Sequence, residues 1–66
     1  MVVYVLIKRY TDNSGFNVVG ATDDRPIAQA FAAGGCDGAA VAEVYETDTR
    51  GPVRIDSIEP IKDWNI

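Results

Sequence analysis

The sequence predicts an α+β fold in which a single short helix packs on a mostly antiparallel sheet, in the order ββαββ, with residues 1–66 forming one domain. Three observations lead to this prediction. Residues 2–7 are six consecutive apolar residues rich in β-branched types, which is typical of a central strand and far short of the about 20 residues that span a membrane. Residues 11–15, Thr-Asp-Asn-Ser-Gly, have the composition of a hairpin turn between two apolar runs. Residues 22–26, Thr-Asp-Asp-Arg-Pro, have the composition of a helix start.

The first hairpin is expected to have two different faces. A register that pairs Tyr10 with Phe16 also places Val5 opposite Ala21. One face then carries the smaller apolar side chains, Val3, Val5, Ile7, Val19 and Ala21. We expect the helix to pack on that face. The other face carries larger side chains without an evident cover and is predicted to mediate self-association or contact with a partner; its residues are Tyr4, Leu6, Phe16 and Val18.

The helix is predicted to run over residues 25–33. Ile27, Ala30 and Phe31 recur at a spacing of three to four residues, which is the spacing of a single helix face. We expect this face to lie on the sheet, with Ile27 and Phe31 supplying most of the buried area. Two glycines then end the helix.

Two further strands are predicted from alternating sequence, at residues 39–46 and 53–56, with a turn between them. Pro60 cannot donate a hydrogen bond to a ladder, so the segment after the fourth strand belongs at a sheet edge. Trp64 is expected to fold back as a hydrophobic lid.

Length and composition restrict the classes of function. A core of this size rarely supplies more than about 3–5 kcal/mol, and with one cysteine and no histidine we expect neither a disulfide nor a metal to add stability. Self-association, as a homodimer, is the expected further source. The net charge of −4 argues against direct nucleic-acid binding, which takes a basic surface. No basic segment precedes the first apolar run, so we expect no secretory leader, no membrane association and a cytoplasmic location.

The residues that invite a chemical role each have a simpler explanation. Cys36 follows a helix C-terminus and precedes Asp37, and the chain has no histidine to serve as its base, so a loop residue is favoured over a nucleophile. The glycines around Cys36 follow a helix, whereas phosphate loops precede one. Asp23 and Asp24 are explained as helix caps rather than cation ligands. The sequence therefore predicts no catalytic, cofactor-binding or metal-binding residue, and a protein that is not an enzyme.

A group of acidic side chains on the last two predicted strands is the most suggestive functional feature; it comprises Glu43, Glu46, Asp48 and Asp56, with Glu59 nearby. One interpretation is a negative surface that binds a protein partner with a basic surface. The alternative is a solvated sheet edge that charge keeps from pairing. The sequence leaves both open.

The chain also resembles small strand-strand-helix-strand proteins of bacteriophages and mobile elements. The features that carry the resemblance are the Val-Tyr-Val-Leu opening, Val19-Gly20-Ala21 in the second strand, Ala28, Ala30 and Phe31 in the helix, and the Glu-Val-Tyr-Glu return strand. Small acidic phage proteins of this character include inhibitors of host defence, among them anti-CRISPR proteins. The resemblance implies a stoichiometric inhibitor of a host defence complex that acts in the host cytoplasm. The alternative is a self-associating structural or regulatory domain.

Overall fold

The computed structural model describes residues 2–34, 38, 40–48, 54–55 and 58–64. Its elements, in chain order, are β1 (Val2–Tyr10), β2 (Phe16–Thr22), α1 (Arg25–Gly34) and β3 (Ala40–Asp48). The strands form one sheet in the order β2-β1-β3, and both outer strands run antiparallel to β1. β2 and β3 are therefore parallel to each other, and α1 connects them across one face of the sheet. The predicted α+β class, with one short helix on an antiparallel sheet, is confirmed.

The predicted order ββαββ is wrong in its last element. Arg54 is not in a strand and Ile55 lies in a short 3₁₀ turn, while the other two residues of the predicted strand lie outside the described residues. A different segment reaches the outer edge of β3, where the Ile61 amide donates a 2.7 Å hydrogen bond to the Val44 carbonyl. The short alternating stretch at 53–56 resembles a strand, but alternation over four residues is weak evidence for one.

The turn between β1 and β2 forms as its composition predicts. The Asp12 carboxylate accepts the Ser14 amide at 2.9 Å, and the Gly15 carbonyl accepts the Tyr10 amide at 3.0 Å. Asn13 has φ 67° and Gly15 has φ 118°. These are conformations that asparagine tolerates and that glycine adopts without a steric penalty.

A bulge at Val19 changes the register of the hairpin. Val5 lies opposite Ala21, as predicted, but Phe16 lies opposite Arg9 instead of Tyr10 because the register shifts between Leu6 and Ile7. One residue of shift moves a side chain to the other face of a sheet. Phe16 and the residue opposite Ile7, Val18, therefore lie on the face that carries Ile7.

The core forms on the face opposite to the one predicted. Tyr4, Leu6 and Val44 are buried together with Ala28 of α1. Further apolar residues pack against this cluster, namely Phe31, Ala32, Ile61 and Trp64. We expected small side chains on the sheet to admit the helix; instead the small side chain, Ala28, is on the helix and the large ones are on the sheet. A small helix residue lets the helix approach the larger side chains of the sheet closely.

The predicted inward positions of Ile27 and Ala30 are wrong as well, since the Ile27 side chain is 55% exposed and Ala30 is also exposed, whereas Phe31 packs against the core. Trp64 does fold back as a lid, with its ring centroid 6.5 Å from that of Tyr4. The Arg25 guanidinium holds this arrangement together, because it lies 5.1 Å from the centroid of the Trp64 ring and donates a 3.3 Å hydrogen bond to the Tyr4 hydroxyl. No helix in the described part of the chain is long and apolar enough to cross a membrane.

Candidate functional site

The face of the sheet opposite α1 carries a cluster of exposed apolar side chains near the hairpin end. Strand pairing aligns Phe16, Arg9 and Val41 in one row across the three strands, and Val18, Ile7 and Glu43 in the next. Phe16, Val18 and Val41 are 41%, 60% and 50% exposed, whereas Ile7 beneath them is fully buried. We call the five exposed or half-buried side chains around Ile7 the Arg9 patch: Arg9, Phe16, Val18, Val41 and Glu43.

Arg9 is the centre of the polar contacts in this patch. Its Nε donates to Glu43 Oε1 at 2.8 Å and its Nη2 donates to the Tyr45 hydroxyl at 3.0 Å. The Tyr45 hydroxyl in turn donates to the same Glu43 oxygen at 2.8 Å, which closes a triangle. The Arg9 guanidinium also lies 5.2 Å from the centroid of the Phe16 ring. Four side chains from all three strands are therefore held in one arrangement.

The strands dictate this arrangement. Glu43 and Tyr45 are two residues apart on β3 and so point to the same face of the sheet. Glu43 pairs with Ile7, and Arg9 is the next residue of β1 on that face. The long Arg9 side chain therefore reaches diagonally across the strand boundary to the carboxylate, a distance that diagonal neighbours allow.

The pKa values of two residues in this triangle are shifted, that of Arg9 by hydrogen bonding and that of Tyr45 by burial. The hydrogen bonds to Glu43 and then to Tyr45 raise the pKa of Arg9, so the guanidinium stays charged at every accessible pH. Burial, reinforced by Glu43, raises the pKa of Tyr45. Tyr45 thus remains a neutral donor near pH 7, and the Arg9–Glu43 pair leaves the patch with no net charge of its own. Because the Arg9 side chain is 40% exposed, water screens the ion pair and its contribution to stability is small.

The predicted acidic surface is divided between the two faces of β3. Glu43 lies in the Arg9 patch, where its carboxylate is already engaged. Glu46 and Asp48 pair with Tyr4 and Val2 and so project on the side of the helix, where both are exposed. Strand alternation causes the separation, because residues 43 and 46 are an odd number of positions apart. Asp56 lies outside the described residues.

The four residues predicted as a self-association face do not share a face. Tyr4 and Leu6 are buried beneath α1, whereas Phe16 and Val18 are exposed on the opposite side. The bulge at Val19 and the helix position are the physical reasons. Arg9 and Val41 were not among the site residues predicted from the sequence. Arg9 lies two residues after Ile7 on the same strand face, and that alternation is the signal that could have found it.

The described residues contain no cavity and no group of three or more acidic, cysteine or histidine side chains that could hold a metal ion. Asp24 serves the predicted cap, since its carboxylate accepts the Ile27 amide at 3.4 Å. Cys36 lies outside the described residues, and the absence of catalytic, cofactor and metal residues stays a prediction. The chemistry that this arrangement offers is recognition of another surface by an arginine, an aromatic ring and two valines.

Comparison of the chain with protein-family models, with curated proteins and with solved structures finds no match.

Proposed function

We propose that this protein is a protein-binding module that acts by stoichiometric association and that the Arg9 patch is its contact surface. The observation that carries the proposal is the clustering of Phe16, Val18 and Val41 at the surface around an arginine whose charge is neutralised from within. Arginine and aromatic side chains are enriched at the centres of protein interfaces.

The polar contacts of the patch favour binding rather than oppose it. Burying Arg9 against a partner would be expensive if its charge had no local partner. Here Glu43 and the Tyr45 hydroxyl already accept its hydrogen bonds. The same contacts hold the side chain in place before binding, which reduces the conformational entropy lost on association.

The surface around the patch adds a preference for the charge of the partner. The chain carries a net charge of −4, and the patch itself is neutral. Glu46 and Asp48 lie on the other side of β3 and would act at the rim, where charges change association rates more than affinity. The partner we propose is therefore a protein with an apolar contact area and a basic surround.

A narrower form of the proposal rests on the resemblance to small phage proteins alone. In that form the partner is a host defence complex, and the protein inhibits it by occupying one of its surfaces. The inhibitor form requires one protein molecule per binding site and full inhibition at saturation, and partial inhibition at saturation would contradict it.

Capture experiments with matched variants test the proposal. The wild-type chain, Val41→Lys and Ile27→Lys are immobilised, and proteins captured from a cell lysate are compared by quantitative mass spectrometry. Val41 and Ile27 are similarly exposed, at 50% and 55%, but only Val41 lies in the patch. We expect at least one protein to be retained by wild type and Ile27→Lys and lost from Val41→Lys. Equal retention by all three would show that the patch is not the contact surface.

A further inference from the structure

We propose that two copies of the chain pair antiparallel through the outer edge of β2, around a two-fold axis at Asn17, and so join their Arg9 patches into one continuous band. The inference rests on the proposed function for its purpose, since it enlarges the contact surface described above. Its evidence is the geometry of the β2 edge.

The two edges of the sheet are protected to different degrees. The β3 edge accepts the Ile61 amide at the Val44 carbonyl, and its strand carries Glu43, Glu46 and Asp48. The β2 edge has no backbone partner in the described part of the chain. Its sequence, Phe-Asn-Val-Val-Gly-Ala-Thr, contains no charged residue and no proline. Natural sheets usually protect an edge with charge, proline, a bulge or a cover. The bulge at Val19 interrupts the far half of β2, so residues 16–18 are the part of this edge that is open to pairing.

Hydrogen-bond alternation shows which backbone groups of β2 point outward. The bond from the Tyr10 amide to the Gly15 carbonyl makes these two residues a hydrogen-bonded pair. In an antiparallel ladder such pairs alternate with non-bonded ones, so Asn17 bonds inward to β1. The amides and carbonyls of Phe16 and Val18 therefore face outward. The bulge at Val19 ends this regular stretch.

The outward stretch is complementary to itself. A two-fold axis at Asn17 places Phe16 opposite Val18 of the second copy, and these residues exchange both backbone hydrogen bonds on each side of the axis. Their side chains, which lie on the same face of the sheet, meet as an aromatic and a β-branched neighbour. An axis at Val18 would place Phe16 opposite Gly20 of the second copy. The backbone groups of Gly20 point inward to β1, because the bulge changes the alternation, so this pair could not exchange hydrogen bonds.

This register aligns the two patches. The row of Phe16, Arg9 and Val41 in one copy continues into the row of Val18, Ile7 and Glu43 in the other. One patch covers about 14 by 14 Å, or about 200 Å², from the strand spacing and rise, which is about a quarter of the ~800 Å² that each partner contributes to a standard interface. Pairing doubles the area. Each copy carries a net charge of −4 while β2 is neutral, so salt should strengthen the pairing by screening the repulsion between copies.

Analytical ultracentrifugation tests the dimer with a pair of matched variants. The wild-type chain is measured from about 10 μM to about 1 mM, a range in which a weak dimer forms by mass action. We expect the average mass to rise from 7.1 kDa toward twice that value. Val18→Lys, which places a charge at the pairing edge, should weaken association at least about tenfold. Val41→Lys, on the far strand of the same patch, should leave it unchanged.

Disulfide trapping tests the register. Asn17→Cys on a Cys36→Ser background places two cysteines across the axis as a non-hydrogen-bonded pair, whose Cα atoms are about 4.5 Å apart, within reach of a disulfide. Thr22→Cys on the same background is the control, because the register separates its two copies. We expect a covalent dimer from the first variant and not from the second, and circular dichroism confirms that each variant folds.

Three outcomes would overturn the inference: a wild-type chain that stays monomeric at the highest concentration, equal weakening by Val18→Lys and Val41→Lys, or equal trapping at positions 17 and 22. Partner capture that Val41→Lys abolishes while the chain sediments as a monomer would refute the dimer and leave the proposed function standing. A dimer in sedimentation without any captured partner would support the pairing and refute the proposed function.

Discussion

The two faces of the sheet are built from the same three strands, yet they bury their apolar side chains in different ways. On the helix face, Tyr4 and Leu6 are covered by α1 and by Trp64 of the C-terminal segment. On the other face, Ile7 is fully buried, and the Arg9–Glu43 ion pair lies beside it with the Tyr45 hydroxyl. The helix and the C-terminal segment therefore cover the face that carries Tyr4 and Leu6, while Phe16, Val18 and Val41 stay exposed on the opposite face.

The largest predicted loss of stability comes from a substitution in the core between the helix and the sheet. Leu6→Ala removes a buried side chain from the main cluster and leaves a cavity, which typically costs about 2–5 kcal/mol. That is most of the about 3–5 kcal/mol expected for a core of this size, so the variant should be largely unfolded. Val18→Ala, on the exposed side, should change the free energy of unfolding by less than about 0.5 kcal/mol. Urea denaturation followed by circular dichroism measures both, and similar losses would contradict the difference between the faces.

A second variant tests the tail that covers the helix face. Trp64→Ala removes the ring that packs against Tyr4 and under the Arg25 guanidinium. Because Trp64 is only half-buried, we expect a loss of about 1–3 kcal/mol, below the usual range for a fully buried tryptophan. Thermal unfolding compares it with Lys62→Ala, an exposed neighbour that should have little effect. Equal melting temperatures for Trp64→Ala and wild type would show that the tail does not cover the core.

The stability that Tyr45 contributes, on the sheet face opposite α1, should decrease at high pH. Because the pKa of Tyr45 is raised above its ordinary value of 10.0, the folded state holds the phenol proton more tightly than the unfolded state does. The corresponding stability is present below pH 10 and is lost as the pH rises through the raised pKa. Tyrosinate absorbance should show a transition above the ordinary value of 10.0, and Tyr45→Phe should remove that transition. A Tyr45→Phe variant whose absorbance titration matches that of wild type would contradict the burial of this hydroxyl.

The Arg9–Glu43 ion pair, on the sheet face opposite α1, should contribute less to the free energy of unfolding. A double-mutant cycle with Arg9→Met and Glu43→Gln should give a coupling of about 0.2–1 kcal/mol, because the pair is partly exposed. Added salt should reduce this coupling. A coupling of several kcal/mol would mean that the pair is a structural element of the core instead of a preorganised surface.

The smallest predicted effect concerns the hairpin turn between β1 and β2. Hydrogen bonds from the Ser14 side chain and then from the Ser14 amide lower the pKa of Asp12 below its ordinary value of 3.8. The stability that these bonds contribute is present above that value and is lost as the pH falls through the lowered pKa. The Ser14 amide resonance should therefore move at a pH below the one at which a free aspartate titrates. A Ser14 amide resonance that moves at the ordinary pKa of aspartate would show that the hydrogen bond to Asp12 is absent.

The sequence was sufficient for features with local causes. The turn residues at 11–15, the cap at Asp24 and the strand at 2–7 each follow from backbone preferences that act within a few residues. The lid at Trp64 followed from the need to cover a small core. The α+β class follows from these elements together.

Features that depend on long-range packing were not predictable in the same way. The bulge at Val19 is indicated in the sequence only by the neighbouring Gly20 inside the strand, yet it moves Phe16 and Val18 to the other face. The face on which the helix packs depended on whether the small side chain at the contact came from the sheet or from the helix. In the structure it comes from Ala28 of the helix. The acidic residues of β3 looked like one cluster because they are close in sequence, whereas strand alternation places Glu43 and Glu46 on opposite sides.

The assignment of the two faces is the claim on which the patch, the proposed function and the dimer all depend. Nuclear Overhauser contacts from the methyl group of Ala28 test it most directly, because this side chain lies at the centre of the contact between helix and sheet. The structure predicts contacts from Ala28 to Tyr4, Leu6 and Val44. Contacts from Ala28 to Val3, Val5 or Ile7 would place the helix on the other face and contradict the account.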